Sequence, residues 1–285
     1  MRATLLAAAL LAAAAAPAAA ACGPVDHAGA LFASWQSRMP AASPGEALGE
    51  AEALCIQRDL VARLRATEGR PVGWKVGLTS PQVQQALGVS SPVVGRLLHG
   101  MILPDGAVLR PGYAARPMVE ADMVAVVGDA AINAARSPAE VARALRAIHP
   151  FIELPGLVVA EGQKLTGPVV TAINVGARRG VIGKAIPASA DEAFLAALAT
   201  MRVTLSDDQG KELSAAPGAA ILGHPLNAVV FLAGELARRG ERLAPGDMVS
   251  LGSFGRPAQP VAGRVFTARY EGLPGGSASV SVRFR

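Results

Sequence analysis

Aromatic side chains make up only 4% of this 285-residue chain, which argues against stacking platforms for single-stranded nucleic acid. Cysteine is scarcer still. Two cysteines and four widely spaced histidines, with no H-x-x-x-H pair, cannot build a zinc finger or a His-based metalloprotease centre. Charged residues reach 17% against 51% hydrophobic ones, a balance that excludes intrinsic disorder. Beyond residue 21 no run of 18 apolar residues could span a bilayer as a helix. No G-x-G-x-x-G fingerprint and no G-x-S-x-G elbow occurs, and the 31 glycines and 21 prolines follow no repeat.

The first 21 residues read as an export signal. Arg2 gives a positive start, Leu5 to Ala16 an apolar stretch, and Ala19-Ala20-Ala21 the small residues that a signal peptidase needs. Its removal takes away one cation, so the formal charge falls from +5 to +4. The arginines are scattered, and no basic stripe for nucleic acid results. Cys22 then has two mutually exclusive fates, a lipid anchor or a bridge to Cys55, and the residues leave both open. Either fate places the protein outside the cytoplasm, in the periplasm.

Residues 22–70 read as helical and residues 71–285 as a β-rich catalytic region. Ala28 to Met39 and a segment opened by Ser43-Pro44-Gly45-Glu46 carry helical spacing. Strands are expected at Val72 to Leu78, Val119 to Val127, Phe151 to Leu154, Val169 to Val175, Arg202 to Ser206, Met248 to Leu251, Val261 to Tyr270 and Ser279 to Phe284. Helices are expected after Ser80-Pro81, from Ser137-Pro138 through Ile148, near Asp191 to Leu198, and from Pro225 to Arg239. Helices first and strands later give an α+β fold rather than regular βαβ alternation.

The chemical content lies in Val119-Glu120-Ala121-Asp122-Met123-Val124-Ala125-Val126-Val127. Residues two apart in a strand share a face about 6.5 Å apart, so Glu120 and Asp122 project together. Both faces are otherwise apolar, as in a strand buried on both sides. Two carboxylates there carry a desolvation cost of several kcal/mol as well as mutual repulsion. A hard divalent cation such as magnesium, manganese or calcium removes both costs, and Glu153, alone in Phe151-Ile152-Glu153-Leu154, is the natural third ligand. The competing reading is an ion pair between these acids and an arginine such as Arg116.

At these residues the chain resembles the fumarylacetoacetate hydrolase superfamily, and within it the 2-keto-4-pentenoate hydratases and 4-oxalocrotonate decarboxylases. The resemblance runs from about residue 45 to the end. It is carried in order by Gly73-Trp74-Lys75-Val76-Gly77-Leu78-Thr79-Ser80, Gln85-Ala86-Leu87-Gly88-Val89, Val119-Glu120-Ala121-Asp122, Gly223-His224-Pro225-Leu226-Asn227-Ala228-Val229, Gly246-Asp247-Met248-Val249, Leu251-Gly252-Ser253 and Ser279 to Phe284. It implies a mixed β-sandwich or β-roll core, like the C-terminal region of fumarylacetoacetate hydrolase, with the N-terminal helices attached. It further implies Mg2+ or Mn2+ on Glu120, Asp122 and Glu153, Lys75 as the proton-moving catalytic residue, and self-assembly into a homo-oligomer. Ser253, Asn174 and His99 fall in segments expected to face substrate.

The implied activity is a lyase, hydratase or decarboxylase, acting on a small 2-oxo or 2-hydroxydienoic acid. Acylpyruvate-type carbon–carbon hydrolysis and a non-catalytic exported binding protein are the alternatives. Glutamate at 153 favours the lyases. Three departures stand out: Asp122 replaces the usual second glutamate, Gly100 stands where relatives carry an acid before Met101, and Ile173-Asn174-Val175-Gly176 lacks the acid and hydroxyl of the corresponding segment.

Overall fold

The computed structural model describes residues 22–285, and the expected leader, 1–21, lies outside the described residues. The acidic strand Glu120–Val127 lies inside an eight-stranded mixed sheet. Along the sheet the strands run Val93–Leu98, Pro71–Gly77, Met248–Ser250, Glu120–Val127, Leu145–Leu154, Arg179–Ile182 and Ile102–Pro104, and Ile186–Pro187 pairs additionally with Leu145–Leu154. A second sheet of five strands orders Glu212–Pro217, Arg202–Asp207, Val265–Leu273, Gly276–Phe284 and Ala107–Leu109. Trp74, Met123 and Ile152 of the first sheet pack with Phe266, Tyr270 and Phe284 of the second in the largest core cluster. This is the expected α+β architecture, two packed sheets with helices around them.

A second core lies on the helical flank. The helix His27–Ser37 and the helix Glu50–Glu68 contribute Leu31, Trp35, Ile56, Leu60 and Leu64, packed with Leu98, Val169 and Ile173. The sulfurs of Cys22 and Cys55 are joined in a disulfide that ties the start of the described chain to the longer helix. A bridged Cys22 has no thiol left for lipidation, so of the two fates the structure adopts the bridge.

Several boundaries differ from the sequence expectations, each for a local reason. Ser43 caps no helix; its hydroxyl accepts from Gly45 N–H (3.2 Å), Gly45 sits at φ 114°, and the helix starts only at Glu50. The helix opened by Ser137 ends at Ala144, because the chain from Leu145 joins the acidic strand, with Ile148 opposite Ala125. Val169 to Val175 is not a strand. The Thr166 hydroxyl caps Val169 N–H (3.3 Å), Pro168 fits the first turn, and Gly167–Ala172 is a helix followed by a tight turn.

Candidate active site

The ladder between Glu120–Val127 and Leu145–Leu154 places Glu120 directly opposite Glu153, and Asp122 opposite Phe151. Opposed residues share a face, so all three acids lie on one side of the sheet. Asp122 and Glu153 are buried, whereas Glu120, at the open end of its strand, remains partly exposed. On that face Val124, Val126 and Phe151 form a small apolar cluster beside the acids.

Lys75 arrives from the neighbouring strand Pro71–Gly77, where it lies opposite Ser250 on one side and Gly95 on the other. It is only 5% exposed. Its ammonium ion-pairs with Glu153 and donates to the carbonyl of Val175 (2.7 Å). That carbonyl belongs to a turn in which Asn174, Val175 and Gly176 all take positive φ, between 53° and 65°. A β-branched residue in this conformation is strained and persists only when its surroundings hold it there. Gly77 and Gly95 leave the room: a Cβ at 77 would stand 2.4 Å from Val175 Cγ1, and one at 95 would stand 2.8 Å from Asn174 O.

The electrostatics follow from three crowded carboxyls around one ammonium. Burial, then repulsion from Glu153, pushes the Glu120 carboxyl up to about 7, with Lys75 opposing. Burial also raises Glu153, again opposed by Lys75. Asp122 is raised well above the usual carboxylate range by burial and by Glu153, although hydrogen bonds from Ser250 and Met123 act against it. Arg116, the alternative partner for the acids, turns instead toward the carbonyls of Val159 and Ala160 (both 3.4 Å).

Three carboxyl groups on one sheet face, two of them buried, suit a hard divalent ion in number and chemistry. Their arrangement differs from the expectation in one respect. Among the described residues, the one trio of metal-capable side chains whose ligand atoms all lie within 4.8 Å of each other is Cys22, Cys55 and Asp59, and its two sulfurs are already bonded together. The acids at 120, 122 and 153 are therefore not drawn around a single point. Asp122, a methylene shorter than glutamate, is captured by other donors, and Glu153 is engaged by Lys75. The Asp122 oxygens accept from Ser250 Oγ (2.5 Å), Gly252 N–H (3.0 Å), Leu251 N–H (3.2 Å) and their own neighbour Met123 N–H (2.5 Å).

The remaining candidates have local duties. Asn174 is buried, and its amide accepts from Arg96 N–H (2.7 Å) and donates to Arg96 O (3.0 Å), pinning the strained turn to the sheet. The Ser253 hydroxyl donates to Gly255 O (2.8 Å) within its own turn, and His99 is exposed on a single helical turn, His99–Met101. The serine that reaches an acid is Ser250, which sequence reasoning missed although the adjoining Leu251-Gly252-Ser253 drew attention. Glu68 was missed too. Its carboxylate fills the space a side chain at Gly100 would enter (2.7 Å from a Cβ there) and pairs with Arg179 (2.8 Å). An acid thus stands beside Gly100 after all, supplied by the end of a helix.

Two packed mixed sheets with an acid rung and a buried lysine on one face define a class, the fumarylacetoacetate hydrolase-like enzymes. No family model matches the chain. Curated relatives do. The TodF product hydratase of Pseudomonas putida F1 is 36% identical over 219 residues, 76% of this chain and 77% of the relative. A 4-oxalocrotonate decarboxylase of Pseudomonas putida is 30% identical over 234 residues, 82% of this chain and 85% of the relative. Among solved structures, the 4-oxalocrotonate decarboxylase of Pseudomonas putida G7, complexed with magnesium and adipate, superimposes with a TM-score of 0.78 at 28% identity, covering 90% of this chain and 95% of that one. The chain belongs to the fumarylacetoacetate hydrolase superfamily, in its branch of 2-keto-4-pentenoate hydratases and 4-oxalocrotonate decarboxylases.

Proposed function

We propose that this protein is a divalent-metal-dependent lyase that hydrates or decarboxylates a small 2-oxo or 2-hydroxydienoic acid outside the cytoplasm. The observation that carries the reading is the Glu120–Glu153 rung with Lys75 against it, crowded carboxyl groups that outnumber the one ammonium beside them. Glu120 and Glu153 would hold Mg2+ or Mn2+, and Asp122 would join them on leaving its Ser250 clamp. When bound, the ion supplies electrostatic stabilisation for an enolate developing on a chelating 2-oxo acid.

The chain's own groups do the rest. Lys75, fixed by Glu153 and the Val175 carbonyl, carries a proton at Nζ that it delivers to and recovers from the substrate carbon skeleton. Val124, Val126 and Phe151 keep bulk water from the inner side of the rung. The Cys22–Cys55 bridge supports an oxidising compartment and hence export. A vinylogous 2-oxo acid offered with Mg2+ tests the activity. Either a hydrated 4-hydroxy product or released carbon dioxide supports it and tells hydratase from decarboxylase. Carbon–carbon hydrolysis of an acylpyruvate, or binding without turnover, overturns it.

A further inference from the structure

The chain has two tyrosines, Tyr113 and Tyr270, and both are buried in the main core, against the sheet face opposite the acids. Their hydroxyls nevertheless reach the backbone of the acid-bearing segments, Tyr270 within the two acidic strands and Tyr113 just beyond their ends, at Met118 and Pro155. Tyr270 OH accepts from Phe151 N–H (3.2 Å) and contacts the carbonyl oxygens of Asp122 and Phe151, the latter at 3.0 Å. Tyr113 OH accepts from Met118 N–H (3.1 Å) and contacts the carbonyl oxygens of Met118 and Pro155, the latter at 3.0 Å.

These two contacts are placed symmetrically. Asp122 faces Phe151 two residues to one side of the Glu120–Glu153 rung. Met118 N–H bonds to Pro155 O (3.1 Å) two residues to the other side. The strand pair has reason to need such bracing. Pro150, opposite Met123, offers no N–H to the ladder, and the rung itself opposes two carboxylates that repel each other. A hydroxyl that accepts one N–H and donates to a carbonyl satisfies the backbone groups on both strands and fixes their separation.

Building on the proposed function, we infer that Tyr113 and Tyr270 are positioning residues that set the spacing of Glu120 and Glu153 and so tune the site for its divalent ion. Neither touches the ion or the substrate; each acts through the backbone that carries the acids.

The test is calorimetric titration of the purified, disulfide-bonded protein with Mg2+ and with Mn2+. Tyr270→Phe and Tyr113→Phe should each weaken ion affinity at least threefold, and the double variant at least tenfold. Phe266→Leu, a change in the same core away from both hydroxyls, serves as the structural control: its unfolding temperature should fall with ion affinity unchanged. If the double variant does not fold, the single variants decide. Wild-type ion affinity in both single variants, or an equal loss in Phe266→Leu, overturns the inference while leaving the proposed function standing. A wild-type protein that binds neither ion overturns both.

Discussion

The sheet centre and the helical flank hold their functional groups by different means. At the centre, Glu120 and Glu153 are fixed by ladder register and by buried tyrosines, so backbone hydrogen bonds define where the charges stand. On the flank, the segment that meets Lys75 is a strained turn, Asn174–Gly176, held by side-chain packing, an asparagine clasp and two permissive glycines. The regions join at Lys75, which bonds Glu153 of the centre and Val175 of the flank.

Cutting the joint has the largest expected effect. Lys75→Met should lower kcat by about 10²–10⁴, the usual contribution of a positioned proton donor. Ion affinity should survive or tighten, because a cation leaves Glu153; steady-state kinetics beside ion titration separates the two effects. Loosening the flank alone comes next. A Cys22→Ser, Cys55→Ser double variant opens a bridge spanning 33 residues of separation and should lose about 3–4 kcal/mol of stability in the chain-entropy model. Chemical denaturation measures that loss, and turnover per folded molecule should stay close to wild type.

A smaller change presses the flank against the centre. In Gly77→Ala the added methyl meets Val175, and repacking should cost about 1–3 kcal/mol while kcat falls more than substrate affinity. The smallest effect concerns the centre by itself. The folded Glu120 carboxyl is raised from 4.5 to about 7, so the folded protein holds more protons than the unfolded chain between those values. Stability of the ion-free protein should therefore decline as pH rises from about 4.5 through 7. The rise in unfolding temperature on adding Mg2+ should grow over the same window, which a thermal scan at pH 5, 6, 7 and 8 records.

The centre was largely legible in the sequence, because two carboxylates at strand spacing inside an apolar run have few physical explanations. Glu153 stood out in the sequence as a third acid inside an apolar strand, but its place directly opposite Glu120 comes only from the ladder. The flank was less legible. Val169 to Val175 has the β-branched composition of a strand, yet Thr166 and Pro168 start a helix and tertiary packing completes it. Asp122 carried the right charge but not the expected placement, since Ser250, Leu251 and Gly252 are distant in sequence and their donors appear only when strands at 120 and 248 pair. The tyrosines gave no sequence sign at all, because their targets are backbone atoms.

Anomalous diffraction from crystals soaked in Mn2+ tests the central claim most directly. A single strong peak within coordination distance of both the Glu120 and Glu153 carboxylates is the result this account predicts. Those two carboxylates bare of metal, with manganese absent or bound elsewhere on the chain, would contradict it.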